Sequence, residues 1–369
     1  MPLPQNWTIR DILALTYVKG INATLLKNSI ESYSGVDELL EKSNSALGSK
    51  LRQTEIFSTP KEIFSNPEIE KQLEICSQKG YKIISLWDDD YPQYLKEISY
   101  PPLLIFVLGN LQKSDTTSIS IVGTRKNSVY GKLTTERFSE FLATRGIIVT
   151  SGMAFGIDTI AHKSAITSGG ITYAVIASGL NTISPQLAAE FAKKIVESGG
   201  AIISEYSCNT VARPGYFPQR NRIISGISKA TIVIESGQRG GSLITANFAF
   251  DQGREVFAVP GNISSEKSKG TNLLIRKNIA SIAITPELLW EDLGFEQTEI
   301  DSFRQDSKIL LDDEASSRVY STLTYDPMHF DELLNLTGID VSELLVKLLN
   351  LEFKGIIRQL PGKYYIKTN

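Results

Sequence analysis

Seven short apolar runs recur at nearly constant spacing through the middle of this 369-residue sequence, and their rhythm limits the folds open to it. The runs are rich in β-branched residues and start at residues 118, 147, 172, 201, 231, 255 and 281. Between them lie segments with the apolar period of a helix, such as 133–145 and 187–198. Strands without polar alternation, separated by helices, are typical of a parallel sheet covered on both faces. The sequence therefore predicts a doubly wound α/β domain.

Further elements are predicted on the N-terminal side of this domain. Apolar runs at 82–86 and 103–108 are expected to extend the same sheet. Residues 9–72 have the pattern of several short helices with a turn at 19–22, which predicts a small helical domain of the helix-hairpin-helix or a similar type.

The C-terminal side has the pattern of a winged helix. Residues 296–307 are polar, lack an apolar period and predict a linker. Three predicted helices and a hairpin follow it, at 317–323, 329–337, 342–353 and 356–367. The third helix carries a mixed set of charges rather than a basic stripe, so protein contact or a structural role is favoured over reading of a DNA groove.

Cysteine and histidine are too scarce for several mechanisms. Cys76 and Cys208 are the only thiols, and His162 and His329 are the only imidazoles. Two thiols cannot build a Cys₄ zinc site or a disulfide framework, the four residues lack the spacing of a Cys₂His₂ site, and no metal or cofactor is expected. The sequence has neither a signal-peptide pattern nor an apolar run of 18 residues, so we expect a cytoplasmic protein without membrane contact.

The glycine-rich turns after the strands predict a phosphate-binding edge. Ligands of open parallel sheets bind beyond the carboxyl ends of the strands. There the sequence has Gly123, Thr124 and Arg125, then Ser151 and Gly152, Ser178-Gly179, and finally 237–242 with Gly241 and Ser242. Glycines let the main chain approach a phosphate, while Arg125 and Ser242 add charge and a hydroxyl. The Gly-x-Gly-x-x-Gly and Walker A patterns are absent, which disfavours a dinucleotide site.

Charge is nearly balanced overall, with 38 basic and 41 acidic residues, but it is unevenly distributed. Residues 206–234 and 267–286, the second of which contains Lys269, hold four basic residues each and no acid. Within the first, Tyr216, Phe217, Arg220, Asn221 and Arg222 interleave rings with guanidinium and amide groups. Rings stack on unpaired bases at roughly 1–3 kcal/mol per base, and Arg and Asn hold phosphates or base edges, so this composition suits a single strand.

Each of these residues also has a structural interpretation. Phe217 could pack in the core, and Arg222 could pair with Glu205 or Glu235. Asp158 and His162, at i and i+4, could orient an imidazole for catalysis, but a buried, paired Asp and His are the more common outcome.

The motifs together resemble the DNA processing protein A family (DprA, also called Smf). They comprise IVGTR at 121–125, SGMAFGID at 151–158 with Ala161-His162, FPQRNR at 217–222, and GSLITA at 241–246 followed by Val259-Pro260-Gly261. This ordered match spans about 103–293. It implies a sterile-alpha-motif-like helical domain at 1–75, an extended Rossmann-like domain at 76–295, a linker at 296–307 and a winged helix at 308–369.

The resemblance also implies a function. A member of this family is expected to bind single-stranded DNA and to load RecA recombinase onto it during natural transformation, as a homodimer and without enzymatic activity. The residues expected to bind DNA or phosphate are Gly123, Thr124, Arg125, Ser151, Gly152, Phe217, Arg220, Asn221, Arg222, Gly241, Ser242 and Lys269. Arg220→Glu is expected to abolish DNA binding with little change in melting.

An enzyme acting on nucleotides at the same edge is the alternative. The loop at Gly240-Gly241-Ser242 is similar to that of lysine-decarboxylase-like phosphoribohydrolases, which read Gly-Gly-x-Gly-Thr followed by a catalytic Glu. Here Leu243, Ile244, Thr245 and Ala246 follow, and that Glu is missing.

Overall fold

The structure is a computed structural model that describes residues 3, 6–17, 23–41, 63–114, 116–183, 186–295, 313–324 and 326–367. The turn expected at 19–22 and the linker expected at 296–307 lie outside these residues. The chain divides into two compact units, Met1–Leu289 and Trp290–Asn369.

The first unit contains a nine-stranded sheet in the order β1-β2-β6-β5-β4-β3-β7-β8-β9. Neighbouring strands from β3 to β9 all pair in parallel, which confirms the doubly wound α/β fold. The strands are β1 (Lys82–Ser85), β2 (Leu104–Gly109), β3 (Ser118–Val122), β4 (Ile148–Ser151), β5 (Thr172–Val175), β6 (Ala201–Ser204), β7 (Ala230–Val233), β8 (Glu255–Ala258) and β9 (Ser281–Ile282).

Helices precede the sheet and cover its faces. They are α1 (Ile9–Thr16), α2 (Ala23–Ser32), α3 (Val36–Glu41), α4 (Pro67–Lys79), α5 (Gln93–Lys96), α6 (Val129–Thr144), α7 (Ile157–Thr167), α8 (Gln186–Glu197), α9 (Tyr216–Gly226), α10 (Gly241–Asp251), α11 (Lys269–Arg276) and α12 (Pro286–Asp292).

β1 and β2 join the sheet as expected, but β2 pairs antiparallel with both β1 and β6. The chain length between β2 and β3 explains this direction. Only residues 110–117 separate the two strands, although three strands lie between them in the sheet. Four strand spacings are about 19 Å, and eight extended residues reach about 26 Å, so the link can follow one edge of the sheet but cannot also cross its face. Its main chain is held at that edge, where the Gln112 N–H donates to the Tyr173 hydroxyl at 2.6 Å.

The N-terminal helices share a core with the sheet. Thr8 begins α1 with a capping box in which its side chain and that of Asp11 satisfy each other's main-chain N–H groups. The buried face of α1 includes Ile12 and Leu15, and it belongs to the same apolar cluster as Ile105 and Ile202 of the sheet. The helices and the sheet are therefore one packed body, and the boundary predicted near residue 75 stays a prediction.

The second unit has the winged-helix order that the sequence predicts. Its helices are α13 (Glu314–Thr322), α14 (Phe330–Thr337) and α15 (Val341–Phe353), and its strands are β10 (Met328–His329), β11 (Ile357–Leu360) and β12 (Tyr364–Lys367). Val319, Leu333, Leu344 and Tyr365 belong to its own apolar cluster. The outer face of α15 is apolar as well, because Leu345 and Leu349 are about half exposed and Phe353 is 81% exposed.

The strand order places a topological switch point at β3. The chain proceeds from β3 outwards through β4, β5 and β6, and then returns to β7 on the other side of β3. The helices that follow β3 and β7 therefore diverge and leave a crevice at the carboxyl ends of these strands, where open α/β sheets bind ligands.

Candidate functional site

Two adjoining cavities open at the carboxyl edge of the sheet. The switch-point cavity has a volume of about 350 Å³. It is lined by the end of β3 and the residues after it, by Ala154 and Asp158, by residues 236, 237 and 240 after β7, and by α9 and α10. The β5 cavity, of about 540 Å³, is lined by residues that follow β4 and β5 and by α8. Arg125, Ala154, Phe217 and Arg220 line both cavities, so they form the wall between them.

An exposed aromatic ring and a guanidinium group sit side by side on this wall. Phe217 is the second residue of α9 and 36% of it is exposed, so it does not pack in the core. The Cζ atom of Arg125 lies 5.7 Å from the centroid of the Phe217 ring, and that of Arg220 lies 5.9 Å from it. These are cation–π distances, and they leave a ring at the rim of two cavities with positive charge beside it.

Arg220 is a buried member of the wall. Only 5% of it is exposed, and its Nη1 donates to the main-chain oxygens of Gly152, at 2.6 Å, and of Val175. A Cβ atom on Gly152 would lie 2.9 Å from both Arg220 Nη1 and Asp158 Oδ2, so glycine is what allows these groups to approach here. Arg220 therefore joins the loop after β4 to the last residue of β5, and its replacement by Glu is expected to destabilise the fold rather than leave melting unchanged.

The charges of Arg220 and Asp158 offset each other. Burial lowers the pKa of Arg220 to about 10, and Asp158 counters part of that shift. Burial also raises the pKa of Asp158, while the charge of Arg220 and the Ala154 N–H, at 3.3 Å from Oδ2, favour its ionised form. Arg220 and Asp158 thus form a buried pair of opposite charge preference in the lining of the switch-point cavity.

The switch-point cavity contains main-chain amides suited to an anion. The helix α10 begins at Gly241, and its N-cap is Gly240, which has no side chain to occupy the first amides. Ser242 donates its hydroxyl to Ser236 Oγ at 2.9 Å. Asn221 donates to the Gly241 oxygen at 3.4 Å. Gly123 and Thr124 complete this lining, opposite the start of the helix.

Three of the expected site residues lie elsewhere. Within the described part of the chain, Ser151, Arg222 and Lys269 are outside the lining of both cavities. The Ser151 hydroxyl donates to the Ile121 oxygen at 2.6 Å and is buried. Arg222 pairs with Glu205 at 2.5 Å and donates to the Tyr100 oxygen, so one of the two ion pairs considered for it is present.

Lys269 also has an acidic neighbour, since its ammonium group pairs with Glu266. Glu205 and Glu266 border the two acid-free stretches of the sequence. Each of these border residues therefore neutralises one of the cations that the local charge pattern counted toward DNA binding.

Three residues of the β5 cavity were not singled out for the site from the sequence. Lys163 on α7 and Lys194 on α8 are exposed and line this cavity with the ring of Phe191. The Lys163 ammonium lies 5.9 Å from the centroid of that ring. Among the residues that the structure describes, four basic side chains line the β5 cavity against one acidic side chain, Glu190. The two lysines belong to helices without a basic run, so only the packing of α7 and α8 around β5 reveals them.

Asp158 and His162 do not form the pair that their spacing allows. The Thr172 hydroxyl donates to the Val149 oxygen at 2.6 Å, so His162 Nδ1, 2.6 Å from the same hydroxyl, carries the proton of that hydrogen bond. Burial and the charge of Arg220 lower the pKa of His162 to about 3, which keeps the ring neutral. His162 is therefore a structural side chain under the sheet edge, and the catalytic interpretation has no geometric support.

Two further properties hold for the described residues. None of the helices among the described residues is long and apolar enough to cross a membrane. In the same residues, no group of three or more His, Cys, Asp and Glu side chains is placed to hold a metal ion.

Comparison with known proteins identifies the family whose sequences this chain matches. Residues 82–294 match the family described as DNA recombination-mediator protein A, and residues 306–363 match the DprA winged helix domain. Protein Smf of Escherichia coli K12 is 33% identical over 357 residues, which cover 96% of this chain and 93% of that protein.

Solved structures agree with the sequence comparison. DNA processing protein A from Streptococcus pneumoniae superposes with a TM-score of 0.64 at 30% identity and covers 80% of this chain and 100% of its own. DNA processing protein A from Helicobacter pylori superposes with a TM-score of 0.53 at 26% identity and covers 59% of this chain and 97% of its own. That structure is described as showing a single-stranded DNA binding mode.

Proposed function

The chain belongs to the DNA recombination-mediator protein A family, and on that premise we propose that the carboxyl edge of its sheet binds single-stranded DNA. The observation that supports this most is the exposed Phe217 ring next to Arg125, on the wall between two cavities. An unpaired base can stack on such a ring. A base inside a duplex cannot, because it is already stacked between its neighbours.

The groups around the ring would hold the backbone on either side. Towards β7, the first amides of α10 line the switch-point cavity and suit a phosphate. Towards β5, Lys163 and Lys194 offer two exposed ammonium groups. The strand would therefore cross the wall at Phe217, with one phosphate near α10 and others near the two lysines.

The remaining expected residues would act indirectly. The cavities are also lined by Gly123, Thr124, Gly152 and Asn221. Each of these would let the main chain approach the DNA strand or would make a single hydrogen bond to it. Arg220 would keep the loops of the wall in place. Arg222, Lys269 and Ser151 would stabilise the surrounding segments through the contacts described above.

We further propose that the bound strand is handed to RecA recombinase. Support comes from the family's description as recombination mediators. A homodimer acting in the cytoplasm during natural transformation is part of the same proposal, and so is binding without turnover. Reconstitution with RecA on strands coated by single-strand binding protein tests the loading step.

A titration of labelled oligothymidylate and of a matched duplex at several salt concentrations tests the central proposal. Three exposed cations, Arg125, Lys163 and Lys194, predict a slope of about −2 for the logarithm of affinity against that of salt. Arg125→Ala should weaken binding. Arg137→Ala is its matched control, because Arg137 is 47% exposed but pairs with Glu287 and is not a lining residue of these cavities. Equal affinity for duplex and single strand, or equal effects of the two variants, would refute the proposal.

The enzymatic alternative has its own test. Incubation with nucleoside monophosphates followed by chromatography of the free base measures hydrolysis directly. Release of base that persists in the purified protein and is lost in Asp158→Asn would favour an enzyme at this edge over a binding site.

A further inference from the structure

The two cysteines of the chain lie next to each other in the core. Cys76 is in the last turn of α4 and Cys208 follows β6, 132 residues further along the chain. Their Sγ atoms are 3.6 Å apart. Cys76 is 4% exposed and Cys208 is fully buried. Two sulfurs at this separation have to move about 1.5 Å closer to reach the bond length of a disulfide.

A buried amide holds the pair in place. Gln72, one turn before Cys76 on α4, accepts the Cys208 N–H at its Oε1 at 3.1 Å. Its Nε2 lies 2.7 Å from Cys208 Sγ and 3.5 Å from Cys76 Sγ. Cysteines that serve only as small core residues need no such polar neighbour. The amide fixes the segment at Cys208 against the helix that carries Cys76.

The environment also favours reaction at one of the sulfurs. Hydrogen bonds from the Cys208 thiol and from Gln72 lower the pKa of Cys76 to about 7. The pKa of Cys208 is raised, because it keeps the shared proton and is buried. A thiolate is the form that reacts with oxidants, so Cys76 is the reactive member.

The segment at Cys208 supports a wall of the β5 cavity. The Cys208 oxygen accepts the Asn181 N–H at 2.9 Å, and the Thr210 oxygen accepts the Gly179 N–H at 2.8 Å. Ser178 and Thr182, on either side of these amides, line the cavity. A covalent link at Cys208 would therefore be transmitted to the cavity through two main-chain hydrogen bonds.

We propose that Cys76 and Cys208 are a redox-sensitive pair that closes to an intramolecular disulfide when a peroxide oxidises the protein, tying α4 to the wall of the β5 cavity. The Cys76 sulfur attacks the peroxide, the O–O bond breaks, and a sulfenic acid and one water form. The Cys208 sulfur then attacks the sulfenic sulfur and displaces its oxygen as a second water. Both thiol protons end in water, the peroxide is reduced by two electrons, and a dithiol reductant reverses the bond.

Mass spectrometry of the full chain tests the bond itself. The reduced protein is treated with hydrogen peroxide under native conditions, alkylated, denatured and digested. We expect a peptide pair joined through Cys76 and Cys208, two hydrogens lighter than the reduced pair and restored by dithiothreitol. Cys76→Ser and Cys208→Ser should instead give sulfinic acid or an unreacted thiol, and the alanine variants replace them if serine prevents folding. Full alkylation of both thiols after peroxide, or a disulfide only between chains, would overturn the proposal.

Hydrogen exchange tests the link to the cavity. The Gly179 and Asn181 amides should exchange severalfold more slowly in the oxidised protein than in the reduced one, and at equal rates with and without peroxide in Cys208→Ser. Unchanged exchange in a protein shown to carry the disulfide would overturn the connection to the cavity wall.

Discussion

Replacement of Arg220 by methionine separates a structural role of this residue from contact with DNA. Methionine keeps much of the aliphatic volume but leaves the Gly152 and Val175 oxygens without their donor and the Asp158 carboxylate without its positive neighbour. Removal of one partner from a buried charge pair costs about 3–5 kcal/mol. In a unit of this size, which ends at Leu289, that corresponds to a fall in Tm of about 5–8 °C.

Thermal unfolding of the full chain, followed by circular dichroism, measures this effect. A second change provides an internal check, because Asp158→Asn in the Arg220→Met background removes the uncompensated carboxylate. The double variant should recover about 1–2 kcal/mol relative to Arg220→Met alone. A Tm within about 2 °C of the wild type, together with complete loss of DNA binding, would refute the reasoning. It would mean that the guanidinium is available to DNA and that its main-chain hydrogen bonds contribute little.

Substitutions at Phe217, His162 and Gly156 test other parts of the site. Phe217→Ala should weaken oligothymidylate binding by about 1–3 kcal/mol, whereas Phe217→Trp should retain it, as read by fluorescence anisotropy; equal losses would exclude stacking. His162 has a pKa of about 3 in the folded chain against 6.5 as its reference, so the unfolded chain binds more protons between these values and stability falls as the pH falls. From pH 7 to pH 5 this loss is about 2 kcal/mol in urea unfolding, and His162→Gln should remove it; parallel pH profiles would contradict the prediction. Gly156 has φ +84° and a Cβ there would lie 2.4 Å from the Thr124 oxygen, whereas Gly169 has φ +74° and open space. Gly156→Ala should therefore lower both Tm and DNA affinity more than Gly169→Ala, and equal effects would show that the Gly123–Arg125 loop is not displaced.

The sequence predicts the sheet well because each strand is buried on both faces. Apolar runs of this kind are hard to mistake when helices separate them, and β3 and β6 begin at the predicted residues, Ser118 and Ala201. The winged helix and the family resemblance are also confirmed. Both predictions rest on several motifs or elements that occur in a fixed order along the chain. The direction of β2 could not be predicted from its own residues, because it depends on the short link to β3.

Side-chain roles at the site were harder to predict. Arg220 and Arg222 stand two positions apart on α9, which turns about 100° per residue, so they point to nearly opposite sides. One reaches the loops under the sheet edge, and the other reaches Glu205. The composition of the segment predicts DNA binding for both arginines alike. Lys163 and Lys194 were missed because each is an ordinary surface lysine until the helices α7 and α8 are packed around β5.

The shared core of the N-terminal helices and the sheet has a consequence for cooperativity. Because Ile12 and Leu15 belong to the same apolar cluster as Ile105 and Ile202, melting of the first helix opens a core that the sheet shares. Calorimetry should then record one heat-absorption peak for residues up to 289 and a separate one for the winged helix, whose core is its own. The second unit has its own core and can be replaced as a whole during evolution. A new N-terminal segment would instead have to fit the core that it shares with the sheet.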